Sequence, residues 1–174
     1  MNSLFSNVTI QAFKALARDP NRTLYQRETA KEAGISVGSA NGALRTLTEL
    51  GLVEEEKRGK ITLYRFNLHN PAARQLKTLL SILELRRFIE DLKPHTTLVI
   101  LFGSTARGED TPQSDIDLYI GTTQKTIVSE IINRYVGDRR LSAIVHDVEE
   151  EAQLRENNPT LWGEIERGVI LVEA

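Results

Sequence analysis

Asp115 and Asp117 stand two positions apart in Ser114-Asp115-Ile116-Asp117-Leu118-Tyr119-Ile120, and the chemistry of this sequence is concentrated there. Alternate side chains of a strand share a face, so the two carboxylates project together while Ile116, Leu118 and Ile120 enter a core. Two such charges repel each other, and a cation between them relieves the repulsion. The chain has no cysteine and three scattered histidines, His69, His95 and His146. Thiolate sites are thereby excluded and a zinc centre disfavoured, which leaves Mg²⁺ or Mn²⁺ held by oxygens as the economical cation. Magnesium usually keeps positions for substrate phosphates. About ten residues upstream lies Gly103-Ser104-Thr105-Ala106-Arg107-Gly108. A Gly-Ser turn after a buried strand presents N–H groups and a hydroxyl to a phosphate. Arg107 either adds positive charge there or pairs at the surface with Glu109 or Asp110.

The apolar run Thr-Thr-Leu-Val-Ile-Leu-Phe at residues 96–102 has the composition of a buried strand and delivers the chain into that turn. Taken together, Gly103-Ser104-x-Ala106-Arg107-Gly108 and Ser114-Asp115-x-Asp117-Leu118 closely resemble the signature of the nucleotidyltransferase superfamily to which DNA polymerase beta belongs. The small size is similar to that of the minimal nucleotidyltransferases found beside HEPN-type proteins in prokaryotic toxin–antitoxin pairs. The resemblance spans about residues 94–174, including a helix at 126–135 and a final strand at 168–171. It implies an α/β domain with a mixed sheet, in which Gly103 and Ser104 hold the terminal phosphates of an NTP and Arg107 adds charge near them. Asp115 and Asp117 would be the catalytic residues and would coordinate one or two Mg²⁺ or Mn²⁺ ions. A hydroxyl on a protein, RNA or small molecule would then displace pyrophosphate.

One element of the family pattern is absent. A third carboxylate normally sits early in a strand beside the Asp-x-Asp strand, and the residue aligned with it, in Leu141-Ser142-Ala143-Ile144-Val145-His146, is Ser142. Asp147 is five residues along, about 16 Å away and on the opposite face; Asp138, four residues earlier, is about 13 Å off unless the chain bends. Two readings follow: a working nucleotidyltransferase, or a degenerate domain that binds nucleotide or a partner protein without efficient transfer. Trp162 reads as core, and His146 as a structural residue at a strand end.

The first part of the chain has a different character. Residues 7–18 read as a helix capped by Asn7 and stopped by Asp19-Pro20, and residues 23–25 as a short strand. Residues 26–33 form a helix ending at Gly34, and Ser36 caps a third in which Ala40, Leu44, Leu47 and Leu50 make an apolar stripe. Two strands follow, at 52–56 and 61–66, around a turn at Lys57-Arg58-Gly59-Lys60. Residues 24–67 resemble the winged helix-turn-helix domains of prokaryotic transcription regulators. That resemblance implies DNA binding, with Ser39, Asn41 and Arg45 on the recognition helix and Lys57, Arg58 and Lys60 on the wing. Glu54, Glu55 and Glu56 are expected to face away from the duplex.

Composition agrees with this division. Of the 174 residues, 40% are hydrophobic and 26% charged, which describes a globular chain and excludes wholesale disorder. No apolar run reaches the roughly 18 residues of a membrane span, and no signal peptide is apparent, so the cytoplasm is the expected location. Residues 1–93 hold 15 Lys+Arg and 10 Asp+Glu, and the rest hold 7 and 14, so the overall charge of −2 divides into +5 and −7. Asn70-Pro71 opens a connecting helix, single or double, whose leucines cover more than one stripe. Those leucines serve either a homodimer interface or packing onto the flanking domains. The expectation is an α+β chain with a winged helix-turn-helix at 1–69, a connecting helix at 70–93 and a minimal nucleotidyltransferase-like domain at 94–174.

Overall fold

Ser6 Oγ accepts the Thr9 N–H and opens the first helix, α1 (Asn7–Ala17), one residue earlier than the cap expected at Asn7. There follow β1 (Leu24–Tyr25), α2 (Gln26–Ala33), α3 (Val37–Glu49), β2 (Val53–Arg58) and β3 (Ile61–Phe66). Gly34 ends α2 in the left-handed conformation, with φ +64°, and Ser36 Oγ caps α3 through the Ser39 N–H. The computed structural model describes Leu4 and residues 6–174, and these elements belong to the first of two units. That unit takes the chain up to Lys77 together with Glu109–Pro112.

The three strands pair antiparallel in the order β1-β3-β2. Arg58 pairs with Ile61, so the turn contains only Gly59 and Lys60; Lys57 and Arg58, expected in the turn, are strand residues. Gly59 takes φ +62° at the first central position of this two-residue hairpin, where glycine is favoured. Phe13, Leu16, Leu24, Leu44, Leu47 and Phe66 fill the core, with the Phe13 and Phe66 rings edge to face at 5.8 Å. Lys77 and Asp110 are also buried here, their Nζ and Oδ1 atoms 3.3 Å apart. Arg74 holds Glu109 at 2.9 Å beside them.

The connecting segment is two helices, α4 (Pro71–Glu84) and α5 (Arg86–Leu92), followed by a 3-10 turn at Lys93–His95. Asn70 Oδ1 accepts the Ala72 N–H at the entry to α4. The break falls at Leu85, whose ψ of −4° departs from helical geometry, and its buried side chain joins the core of the second unit.

The second unit comprises Thr78–Gly108 and Gln113–Ala174. Beyond α5 it contains β4 (Leu98–Phe102), α6 (Gly103–Arg107), β5 (Ile116–Gly121), α7 (Lys125–Asn133), β6 (Leu141–His146), α8 (Val148–Asn157), α9 (Pro159–Glu166) and β7 (Val169–Glu173). The sheet order is β6-β5-β4-β7, mixed in direction: β5 and β6 run parallel, the other pairs antiparallel. Strand alternation supplies two cores. Val99, Leu101, Ile116, Leu118 and Ile120 pack with Phe88, Leu92 and Val128 on one face. Ile100, Phe102 and Tyr119 pack with Trp162 and Ile165 on the other. Central strands covered on both faces explain why β4 reads as a continuous apolar run.

Candidate functional site

The antiparallel pairing of β4 with β5 sets Phe102 across from Asp117, so the residue after Phe102 meets the Asp117 side chain. That residue is Gly103, at φ +68°. A Cβ built there would overlap the carboxylate, standing 3.1 Å from Cγ and 3.3 Å from Cβ of Asp117. Glycine is required twice over, by conformation and by space. The expected Gly-Ser turn is in fact the first turn of a short helix, α6, closed by Gly108 at φ +67°. Thr78 Oγ1 satisfies the Thr105 and Ala106 carbonyls at 3.2 Å each, which supplies what the sequence window around Gly103 could not show.

Asp117 lies on β5, whereas Asp115 lies one residue before it. The strand begins at Ile116, whose N–H goes to the Arg140 carbonyl, so Asp115 belongs to the approach rather than to the strand proper. Both carboxylates are half-buried. The parallel register of β5 with β6 pairs Asp117 with Ser142, and the Ser142 side chain hydrogen-bonds the Asp117 carboxyl. Burial pushes the Asp117 carboxyl above its ordinary pKa; the Ser142 hydrogen bond opposes this, the Asp115 charge adds to it, Arg107 opposes it and Glu164 adds slightly. Arg107 therefore acts electrostatically on Asp117, while Glu109 meets Arg74 and Asp110 meets Lys77.

Among the described residues, no group of three or more His, Cys, Asp or Glu side chains is placed to hold a metal. Asp147 instead caps α8 by accepting the Glu149 and Glu150 N–H groups, and with Glu150 it binds Lys125. Asp147, Glu150 and Lys125 thus form a solvent-exposed cap and ion-pair network at the head of α8. Glu151 accepts the Tyr119 hydroxyl at 3.0 Å. Trp162 is core, edge to face with Tyr119 and covered by Arg155.

Sequence reasoning missed Arg139. From the loop before β6, its Nη1 donates to Thr105 Oγ1 at 3.1 Å, next to Ser104, and Thr105 Oγ1 lies 3.5 Å from the Asp115 carbonyl. The Arg139-Arg140 pair immediately before β6 was the available signal.

In the first unit, Asn41 and Arg45 are exposed on α3, and Lys57, Arg58 and Lys60 on the hairpin. Ser39 is half-buried, and its hydroxyl accepts from Ser36, so it is engaged in the cap of α3. Arg45 pairs with Glu49 and Arg58 with Glu56, each at 2.8 Å, and these pairs are exposed. Glu56 therefore shares the strand face of Arg58. Glu54 is held by Arg65.

No helix among the described residues is long and apolar enough to cross a membrane. A search of curated proteins returns no match. Solved structures with partial likeness include a possible transcriptional regulator from Methanosarcina mazei Go1, 12% identical, TM-score 0.38, covering 49% of this chain and 76% of that one. Another is human N-acetylserotonin methyltransferase in complex with SAM, 17% identical, TM-score 0.33, covering 50% and 32%. At these scores neither likeness carries an argument. The informative match is to a family: residues 82–161 match the model of the nucleotidyltransferase domain, which supports nucleotidyl transfer as the general chemistry of this part of the chain.

Proposed function

We propose that the chain is a DNA-binding regulator whose nucleotidyltransferase domain binds a nucleoside triphosphate with a divalent cation and transfers its nucleotidyl group slowly or not at all. The observation that carries this reading is the Asp117–Ser142 register, which puts a hydroxyl where the family pattern has a carboxylate. The donor set fits Mg²⁺ or Mn²⁺, since both groups are half-buried carboxylates, oxygen donors of the kind a hard cation takes, and the charge of Asp115 acts on Asp117. Asp115 and Asp117 would hold the ion, which when bound supplies charge neutralisation at the phosphates. Gly103 leaves space against Asp117, Ser104 offers a hydroxyl to the terminal phosphates, and Arg107 adds positive charge. Ser142 orients the Asp117 carboxylate but does not ionise, so it cannot take a proton from an attacking hydroxyl as a carboxylate would.

The first unit supports the DNA-binding half of the proposal. Its helix order, its β1-β3-β2 sheet and its two-residue hairpin agree with a winged helix-turn-helix, in which α3 would enter the major groove and the hairpin would lie beside it. Arg45, Asn41, Lys57, Arg58 and Lys60 are the residues offered to DNA, and the exposed ion pairs of Arg45 and Arg58 are weak enough to yield to phosphate. Leu79 and Leu83 remain exposed on α4, and a second copy of the chain would cover them. Light scattering at micromolar concentration tests that dimer, and a monomer removes it.

Three measurements separate the parts. Titration with each of four NTPs in Mg²⁺ should show binding that Asp115→Asn with Asp117→Asn removes. Incubation with α-labelled NTP and cell extract should give little label, and Ser142→Asp should raise it. Strong labelling by the wild type that the double Asn variant abolishes would instead establish an efficient transferase. Mobility shifts should weaken with salt and with Lys57→Ala, Arg58→Ala, each phosphate contact contributing about 0.9 to the slope of log K against log salt. Unchanged affinity in that variant would remove the hairpin from the interface.

A further inference from the structure

We propose that occupancy of the nucleotide site is read out at the DNA-binding unit through the segment Glu109–Pro112, so that nucleotide and DNA alter each other's affinity for the chain; this rests on both halves of the reading above. The two halves of the motif, Gly103–Gly108 and Ser114–Asp117, lie in the second unit. Glu109–Pro112, which joins them, belongs to the first. Four residues between two parts of one site have little slack, since each spans at most about 3.6 Å. Movement at either end is passed to them.

One face of α4 holds this stretch. Arg74 Nη1 donates to Glu109 Oε1 at 2.9 Å, and Lys77 Nζ meets the Asp110 carboxylate and donates to the Asp110 carbonyl. Thr78, the next residue, offers its hydroxyl to the Thr105 and Ala106 carbonyls of α6. Positions 74, 77 and 78 share a face at helical spacing. Lys77 and Asp110 are both buried, so the segment is fixed in the first unit by a pair whose separation would strand buried charge. Lys77 Nζ also stands 5.5 Å from the centre of the Phe66 ring. Phe66 ends β3, which pairs with β2 out to Arg58 and Ile61 at the hairpin, and its ring meets Phe13 of α1, the helix packed on α3.

A ligand changes the forces at both ends of the segment. A cation relieves the repulsion between Asp115 and Asp117 just past its downstream end, and phosphates engage Ser104 and Arg107 just before its upstream end. Because α4 holds the segment, the adjustment reaches Lys77 and, through Phe66, the strand that carries the hairpin. Such coupling is reciprocal: DNA changes the affinity for nucleotide by the same factor as nucleotide changes the affinity for DNA.

The test measures the affinity of the full chain for a mixed-sequence DNA duplex at fixed salt, with and without saturating NTP in Mg²⁺, and for the NTP with and without the duplex. In the wild type each ligand should change the affinity for the other by the same factor, at least about 5-fold. Asp115→Asn with Asp117→Asn should leave DNA affinity indifferent to NTP. Arg74→Ala with Glu109→Ala, and separately Lys77→Met with Asp110→Leu, should reduce the factor while leaving each affinity measured alone within about 2-fold, folding being checked by the thermal transition. A wild type that binds both ligands with neither affecting the other would overturn the coupling and leave the proposed function standing. A factor unchanged in both loop variants would overturn the route through Glu109–Pro112. Failure to bind NTP or DNA at all would overturn the proposed function and this inference with it.

Discussion

The two units treat internal charge in opposite ways. In the first, Lys77 and Asp110 are 6% and 5% exposed and each meets the other, with Lys77 Nζ also 5.5 Å from the centre of the Phe66 ring. In the second, Asp115 and Asp117 are half-buried with like charge, and burial raises the Asp117 pKa. A buried opposite pair is self-compensated, so it specifies the packing of its own unit and has no need of a ligand. A half-buried like pair stores repulsion that an added cation relieves. The contrast separates an ion pair that completes the packing of its unit from a like-charged pair of the kind the proposed cation site requires.

The largest effect should come from breaking compensation in the first unit. Lys77→Ala removes the cation that the buried Asp110 carboxylate meets and should cost about 3–5 kcal/mol in urea unfolding, whereas Lys77→Met with Asp110→Leu should come back close to wild type. A loss under about 1 kcal/mol for the single variant would mean the pair is effectively solvated. Next in size is Gly103→Ala, where the positive φ and the overlap with Asp117 together should cost about 2–3 kcal/mol. Pairing it with Asp117→Ala should recover the steric part, and simple additivity would show that the two residues do not touch.

Relieving the like pair acts in the other direction. Asp115→Asn should stabilise the metal-free protein by less than about 1 kcal/mol, because solvent screens the half-exposed pair, and should abolish any rise in Tm on adding Mg²⁺. Asp117 has a raised pKa, so its share of stability is present at low pH and is lost as pH rises through the raised value. The gain from Asp115→Asn should therefore be larger at pH 7 than near the carboxylate pKa; equal gains at both would argue against repulsion as its source.

The smallest effect belongs to the exposed network at the head of α8. A hydrogen bond from the Glu150 N–H, then Lys125, lower the Asp147 pKa, and Lys125 first of all lowers that of Glu150. Depressed carboxylate values contribute stability above their ordinary range and lose it as pH falls through the depressed ones. Lys125→Met should move the acid-unfolding midpoint slightly upward, with no change near neutrality in the nucleotide affinity proposed for Asp115 and Asp117.

Much of this was legible locally. Ser36, Gly34 and Asn70 act where cap chemistry predicts, and the alternation of Ile116, Leu118 and Ile120 correctly assigns their face of β5. Short-range readings failed where a distant partner intervenes. Gly103 and Ser104 read as a turn because nothing within a few residues announces that Thr78 will satisfy the carbonyls of α6. Lys57 and Arg58 read as turn residues because the pairing of β2 with β3, which extends to Arg58 and Ile61, is set across the hairpin.

By itself, then, the sequence determined which residues of the strands share a face and where helices begin and end. These follow from periodicities of two and 3.6 residues and from caps acting within one turn. Only the tertiary structure decided that Ser142 bonds Asp117, that Arg139 reaches Thr105 from another loop, and that Lys77 and Asp110 neutralise each other. Each of those contacts joins residues about 25 or more positions apart, whose approach is governed by strand register and core packing rather than by local conformational preference.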